Sequence, residues 1–188
     1  MMNSKRIKTI ILRIGFVWLG IVFVFCKGKP ESQNDQKSQK VERIQTGLAV
    51  DSLMLDINGD GMTDKIKLMT ANEKANRILE VKLGQGAEEY KTIAINNEMI
   101  TCSACGYQGG DPYISLNANE GGFMVNLEHI TLYFVYESPD NIYLKKMNIL
   151  TVKQTPESIQ EKHEVYTEKD FGKVEFSKVG SDFRALLN

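Results

Sequence analysis

A short acidic loop carries the residues of this sequence that are best suited to binding a metal ion. The segment 56–64 reads D-I-N-G-D-G-M-T-D. Oxygen-bearing side chains stand at positions 1, 3, 5 and 9 of a calcium loop: Asp56, Asn58, Asp60 and Asp64. A glycine for the sharp turn and a backbone carbonyl, here that of Met62, complete the ligand pattern of such a loop. The sequence therefore predicts a Ca²⁺ site formed by these five residues.

The same composition has a second interpretation without an ion. Asp, Asn and Gly also dominate β-turns, so the segment can be a plain hairpin turn. Carboxylates that converge in one loop repel each other unless a cation lies between them. The agreement of ligand types, turn glycine and spacing in a single register favours the calcium interpretation.

The loop departs from an EF-hand in its last ligand and in its flanks. Lys67 stands where an EF-hand has a bidentate Glu, and Leu55 and Ile66 belong to runs that alternate apolar and polar residues. Alternation with a period of two is typical of strands and not of the helices that flank an EF-hand. We therefore expect a calcium loop between two strands, with a dissociation constant on the order of 10⁻⁴ to 10⁻³ M.

The loop resembles the D-x-[DN]-x-D-G-x-x-D loops of VCBS and FG-GAP-type repeat proteins, where a calcium loop joins two strands. It is followed by C-x-x-C-G-x-x-G-G-D-P-Y and by an apolar hairpin ending in N-I-Y-L-K-K. This order resembles a group of bacterial envelope lipoproteins related to VCBS-repeat proteins. The resemblance covers about residues 50–180 and implies a calcium-binding β domain.

The N-terminus has the features of an export signal. Basic residues lie among the first 13 positions, no acidic residue precedes Glu31, and the uncharged run 14–25 ends directly at Cys26. An apolar run of this length is typical of a secretory signal, whereas a membrane-spanning helix needs about 20 residues. Cys26 and the polar stretch after it resemble a bacterial lipoprotein signal, which implies that Cys26 is lipidated and begins the mature chain.

Phe25 departs from the lipoprotein pattern, in which Gly, Ala or Ser precedes the cysteine. Two alternatives stay open: an uncleaved signal anchor, or secretion without a lipid. All three place the rest of the chain outside the cytoplasm, in a bacterial envelope, facing the periplasm or the exterior. Residues 27–46 contain almost no large apolar residue, so we expect a flexible tether between the signal segment 1–26 and a domain formed by 47–188.

The domain shows the sequence pattern of an all-β fold. Short alternating runs are separated by turn clusters, and no long helical pattern lies between them. This predicts an antiparallel meander of about eight to ten short strands, packed as a sandwich or as part of a propeller. A last helical turn is expected after Ser181. The expected strands lie near 48–55, 65–70, 77–83, 90–95, 113–117, 122–129, 131–136, 142–152, 163–167 and 173–179.

Two cysteines remain when Cys26 is assigned to the lipid. Cys102 and Cys105 lie in a glycine-rich loop, and in an oxidising compartment we predict a disulfide between them. Free thiols, a redox motif or a metal site stay open as alternatives. A redox motif requires a helix N-terminus after a strand, and zinc requires two further ligands. Asp111 in the same loop is a further candidate calcium ligand, although nothing in the sequence brings it near Asp56.

The sequence lacks the motifs of hydrolases, metalloproteases and phosphate-binding loops. By alternation we expect His129 half-buried on a strand face, and His163 at the surface. Neither has the neighbours of a catalytic base, so we expect no enzyme activity. Three tyrosines are expected to pack across the sheet, or alternatively to form an exposed aromatic face for a protein or glycan: Tyr133, Tyr136 and Tyr143.

Charge argues against nucleic acid as a partner. The chain has 23 basic and 24 acidic residues, and loss of the four basic residues in 1–26 leaves 19 basic against 24 acidic, a net charge of −5. We therefore expect a membrane-tethered envelope lipoprotein whose calcium-stabilised β domain binds another envelope component. The alternative is a periplasmic inhibitor or immunity protein against a peptidoglycan hydrolase, since calcium-loop β domains of broadly similar type occur in such proteins.

Overall fold

The computed structural model describes residues 47–187; Cys26, the signal segment and the predicted tether lie outside this range. As predicted, the described chain is mostly β. Its strands are β1 (Leu48–Leu55), β2 (Asp64–Thr70), β3 (Ile78–Gly86), β4 (Glu89–Asn96), β5 (Tyr113–Asn119), β6 (Gly122–Leu127), β7 (Ile130–Glu137), β8 (Asn141–Gln154), β9 (Ile159–Thr167) and β10 (Val174–Glu175). The remaining elements are a helical turn, α1 (Glu168–Phe171), and the 3₁₀ turns Tyr107–Gly109, Phe176–Lys178 and Phe183–Leu187. Between residues 47 and 187 no helix has the length and hydropathy needed to cross a bilayer.

The first sheet is an antiparallel meander in the order β1-β2-β3-β4. In strand β2 the sequence determines which face is buried. Ile66 and Leu68 are fully buried, while Lys65 and Lys67, which alternate with them, are partly exposed. Successive side chains of a strand point to opposite faces, so this alternation selects the face that packs on the core. The loop between β1 and β2 is the segment in which the sequence predicts a calcium site.

The second sheet has the order β10-β8-β7-β6-β5, and β9 also pairs with β8. One edge of β8 pairs with β7 as far as Ile149. Its other edge pairs with β10 near Leu144 and with β9 over residues 146–154. Beyond Ile149 the two strands β8 and β9 continue as a largely exposed ribbon.

Both sheets contribute to one hydrophobic core. The first sheet buries Ile66 and Leu68, and the second buries Phe123 and Phe134. Phe176 packs edge-on against both phenylalanines, with ring centroids 6.0 Å from Phe123 and 5.2 Å from Phe134. Two antiparallel sheets around a common core correspond to the sandwich alternative of the sequence prediction.

The predicted strand 173–179 is wrong in its second half. Pairing with β8 ends at Glu175, and the chain then turns inward so that Phe176 is 1% exposed. The Asn96 side-chain amide donates hydrogen bonds to the carbonyl oxygens of Phe176 at 2.6 Å and of Val179 at 2.8 Å. These bonds satisfy buried carbonyls that a continued strand would have paired with a neighbour.

The predicted position of His129 is also wrong. Strand β6 ends at Leu127, which pairs with Ile130, so Glu128 and His129 form a two-residue hairpin turn. The alternating pattern continues into a turn that carries no glycine or proline, and the predicted strand 122–129 therefore extended two residues too far. The His129 side chain is 47% exposed.

Candidate metal-binding loop

The acidic loop is a hairpin connection whose two ends are held by strand pairing. Leu55 at the end of β1 lies opposite Asp64 at the start of β2. Gly59 and Gly61 have φ values of 75° and 83°. Residues with a Cβ rarely adopt this left-handed conformation, which is the reason that a sharp turn selects glycine here. The turn role predicted for Gly61 is therefore confirmed.

Asp56 organises the interior of the loop. One of its carboxylate oxygens accepts a hydrogen bond from the Gly59 N–H at 2.7 Å, and the other accepts from the Gly61 N–H at 2.9 Å. Hydrogen bonds from N–H groups to a charged carboxylate are stronger than neutral ones. Each carboxylate oxygen has two lone pairs, so both keep one for a further partner.

Asn58 and Asp60 face each other across the same turn. The Asn58 Oδ1 atom accepts from the Asp60 N–H at 3.1 Å, and the Asn58 Nδ2 atom donates to Asp60 Oδ2 at 2.9 Å. Asp60 Oδ1 accepts from the Met62 N–H at 2.7 Å. Three of the predicted ligand side chains therefore lie in one hydrogen-bonded and solvent-exposed turn.

Asp64, the fourth predicted side-chain ligand, has a different environment. Its side chain is fully buried. Oδ2 accepts from the Ile57 N–H at 2.8 Å, and Oδ1 accepts from the Gly84 N–H at 2.8 Å. The carboxylate thus connects the start of the loop to β3, which is a structural role that the sequence did not predict.

Gly84 explains how β3 approaches the loop so closely. A Cβ atom at this position would lie 2.5 Å from the carbonyl oxygen of Thr63. Only glycine leaves room for the backbone of β3 to place its N–H against Asp64. A glycine inside a strand pattern is a signal for such close approach, and it could have identified this contact from the sequence.

The oxygen donors of the acidic loop match calcium in type but not in grouping. Calcium takes hard oxygen ligands, and the exposed turn supplies the carboxylates of Asp56 and Asp60 and the amide oxygen of Asn58. These residue types and the glycine turn fit the ion. Across residues 47–187, however, no three His, Cys, Asp or Glu side chains lie close enough together to hold a metal. Asp64 faces Ile57 and Gly84, so it does not gather with Asp56 and Asp60 into a carboxylate cluster.

The glycine-rich loop around the two cysteines is closed by its own bonds. The Sγ atoms of Cys102 and Cys105 lie at bonding distance, 2.04 Å. The Gly106 N–H donates to the Gly110 carbonyl oxygen at 2.7 Å, and the Tyr107 N–H donates to the Glu128 carboxylate at 2.9 Å. The predicted pairing of the cysteines therefore agrees with their positions.

Asp111 does not lie at the acidic loop. Its Oδ2 atom forms an ion pair with Arg77 Nη2 at 2.6 Å, and its Oδ1 atom accepts from the Tyr113 N–H at 2.9 Å. The Arg77 side chain is only 4% exposed, and its guanidinium lies 5.4 Å from the centre of the Tyr113 ring. The Tyr113 hydroxyl donates to the Asp51 carboxylate on β1. Arg77 and Asp51 were not predicted from the sequence, because nothing local to them indicates burial.

Burial and the neighbouring charges of Arg77 and Asp51 shift the pKa values of Asp111 and Tyr113. Burial alone raises the pKa of Asp111, but the hydrogen bond from Arg77, the Tyr113 N–H and the guanidinium charge bring the pKa below its ordinary 3.8. Burial raises the pKa of Tyr113, and the hydrogen bond to Asp51 and its negative charge raise it further. Asp111 is therefore ionised and Tyr113 is neutral at neutral pH.

The histidines lie apart from these loops. His129 approaches Glu128 at 3.9 Å, and His163, 74% exposed, approaches Glu161 at the same distance.

Comparison of the chain with models of protein families, with curated proteins and with solved structures gives no match.

Proposed function

We propose that this chain is a membrane-tethered envelope lipoprotein whose β domain is a calcium-stabilised, non-enzymatic binding module. The observation that carries the calcium part is the turn built on Asp56, whose two carboxylate oxygens accept the Gly59 and Gly61 N–H groups. A turn in which a carboxylate already orders the backbone needs little further ordering to accept an ion, and this lowers the entropic cost of binding.

Asp56, Asn58 and Asp60 would hold the ion through side-chain oxygens, and Met62 through its carbonyl. Calcium would supply positive charge between carboxylates that otherwise repel each other. Asp64 would hold the ends of the loop in place through its bonds to Ile57 and Gly84, and direct binding would fall to the exposed residues. This ligand set follows the resemblance to VCBS and FG-GAP-type loops.

The membrane part of the proposal depends on sequence. Cys26 follows a basic segment and an apolar run, and this order supports lipidation.

The non-enzymatic part is supported by the exposed positions of His129 and His163, whose nearest carboxylates are 3.9 Å away. A catalytic histidine is commonly oriented by a hydrogen bond to a third group, and 3.9 Å is longer than such a bond.

Thermal unfolding of the full chain in mild detergent tests the calcium part. Binding to the native state alone stabilises it by about 2.7 kcal/mol when free calcium is 100-fold above the dissociation constant. For a domain of this size we expect the melting temperature to rise by roughly 5 to 10 °C over that in EDTA. Magnesium should have a much smaller effect, because it holds its waters and demands a tighter octahedron.

Matched variants separate a bound ion from a general salt effect. Asp60→Ala should abolish the calcium shift, since it removes one exposed ligand. Asp111→Ala should leave the shift nearly intact, because Asp111 pairs with Arg77. Equal melting temperatures of the wild type in EDTA and in excess calcium would show that the loop is only a turn.

A further inference from the structure

The outer face of the first sheet concentrates lysines. Lys65 and Lys67 alternate with the fully buried Ile66 and Leu68, so they lie on the side of the sheet that faces away from the core. In the pairing of β2 with β3, Lys65 stands directly opposite Lys82. Like charges in directly opposite positions of an antiparallel pair are destabilising. Lys65 therefore lies beside a like charge that only the ion pair between Lys82 and Glu80 offsets, and a negatively charged partner would offset it further.

Exposed apolar side chains flank these lysines on the same face. Met54 on β1 lies opposite Lys65 and is 49% exposed, and Ile95 on β4 lies opposite Glu80 and is 45% exposed. We define the lysine face as the surface formed by Lys65, Lys67, Lys82, Met54 and Ile95.

The charge of the lysine face differs from that of the domain around it. Residues 47–187 contain 14 Lys and Arg against 21 Asp and Glu, a difference of −7. The acidic side chain within the face, Glu80, is 4% exposed and pairs with Lys82 at 2.9 Å. Within residues 47–187, Lys65 and Lys67 form no ion pair. A basic surface on an acidic domain is complementary to an anionic partner.

The chain enters the sheet that carries this face at the end of β1 away from Met54. Gly47 leads into β1, the outer strand of the first sheet, where Leu48 is 71% and Val50 is 39% exposed. Residues 27–46 separate β1 from Cys26. A chain of this length spans at most about 70 Å when fully extended. A lipid on Cys26 would therefore keep the start of β1 within that distance of a bilayer, and the lysine face belongs to the same sheet.

We propose that the lysine face rests on the surface of an anionic bilayer. The lysines attract acidic headgroups, while Met54 and Ile95 contact the interfacial region. A lysine near an anionic membrane surface increases the bound population by about fivefold. The proposal rests on the proposed membrane attachment, which supplies the high local concentration that a weak surface contact requires.

Lysine acylation in vesicles tests this orientation. The full chain is reconstituted in vesicles of phosphatidylcholine alone, or with added phosphatidylglycerol, and treated briefly with an acetylating ester. Mass spectrometry then measures labelling at each lysine. We expect labelling of Lys65, Lys67 and Lys82 to fall about fivefold or more in the anionic vesicles. Lys162, 70% exposed on β9, should label equally in both.

Salt and matched variants identify the cause of the protection. Sodium chloride at about 0.5 M should restore labelling, because it screens exposed charges. In Lys65→Gln/Lys67→Gln, Lys82 should label as fast in anionic vesicles as in neutral ones. In the control Lys153→Gln/Lys162→Gln, which changes exposed lysines of the other sheet, Lys82 should stay protected.

The remaining outcomes each overturn the proposal. In one outcome the protein stays with the vesicles in alkaline carbonate, but the lysine face labels equally in both kinds of vesicle. This result refutes docking and leaves the membrane attachment standing. Protection that appears in neutral vesicles and grows with protein density assigns the face to a second copy of the chain. Release of the protein by carbonate refutes the attachment and the docking together.

Discussion

Replacement of Asp64 should destabilise the domain even when no calcium is present. The carboxylate is fully buried and accepts the N–H groups of Ile57 and Gly84, both at 2.8 Å. Asp64→Ala leaves both donors without a partner in a buried environment. An unsatisfied buried donor costs about 1 to 3 kcal/mol, so we expect a loss of about 4 kcal/mol in the free energy of unfolding.

The measurement is urea and thermal unfolding of the full chain in mild detergent with EDTA, followed by circular dichroism. A loss of about 4 kcal/mol corresponds to a fall in melting temperature of roughly 7 to 15 °C for a domain of this size. Asp64→Asn should also be strongly destabilised, because its amide oxygen accepts one of the two hydrogen bonds while its NH2 group faces the other N–H donor.

The matched control is Asp60→Ala in the same buffer. Asp60 is exposed and accepts the Met62 N–H, so its loss should cost at most about 1 kcal/mol in EDTA. The two variants therefore separate a structural carboxylate from a predicted metal ligand. Equal stability of Asp64→Ala and Asp60→Ala in EDTA would refute the structural role that the hydrogen bonds assign to Asp64.

Three further results are expected. A palmitate analogue should label the wild type in cells but not Cys26→Ala; equal labelling would end the lipoprotein proposal. Exported protein that is denatured without reductant should show no alkylated Cys102 or Cys105, and two alkylated thiols would contradict the disulfide. The folded-state pKa of Asp111 is depressed, so the stability from its ion pair with Arg77 is present above about pH 4 and is lost as the pH falls through the folded pKa. Unfolding curves of wild type and Asp111→Asn should therefore converge at low pH, and a constant difference between them would contradict this linkage.

Local periodicity made most of the strands predictable. In β2, apolar Ile66 and Leu68 alternate with Lys65 and Lys67, and this alternation alone determines both the strand and its buried face. The acidic turn was predictable for a similar reason, because the Asp56 carboxylate bonds to N–H groups only three and five residues ahead. Features whose partners lie within a few residues leave their signal in the sequence nearby.

Contacts between distant segments were not predictable from such patterns. Arg77 is separated from Asp111 by 34 residues, and Asn96 from the Phe176 carbonyl by 80. Arg77 and Asn96 are polar, so by composition they belong at the surface. Burial becomes favourable only because folding brings a carboxylate to Arg77 and two carbonyl groups to Asn96. The sequence around each residue contains no trace of these partners.

Asp64 and Asp111 show that local sequence patterns also do not suffice to assign metal ligands. Both are aspartates in Gly- and Asp-rich segments, and the sequence offered both as possible ligands of one ion. Each carboxylate instead accepts hydrogen bonds from the fold itself, Asp64 from two backbone N–H groups and Asp111 from Arg77 and the Tyr113 N–H. Spacing alone cannot show whether an aspartate in such a segment is buried by the fold or stays open to an ion. In the acidic loop burial makes this distinction, because exposed Asp56 and Asp60 can reach an ion from solvent, whereas the fully buried Asp64 stabilises the loop before any ion arrives.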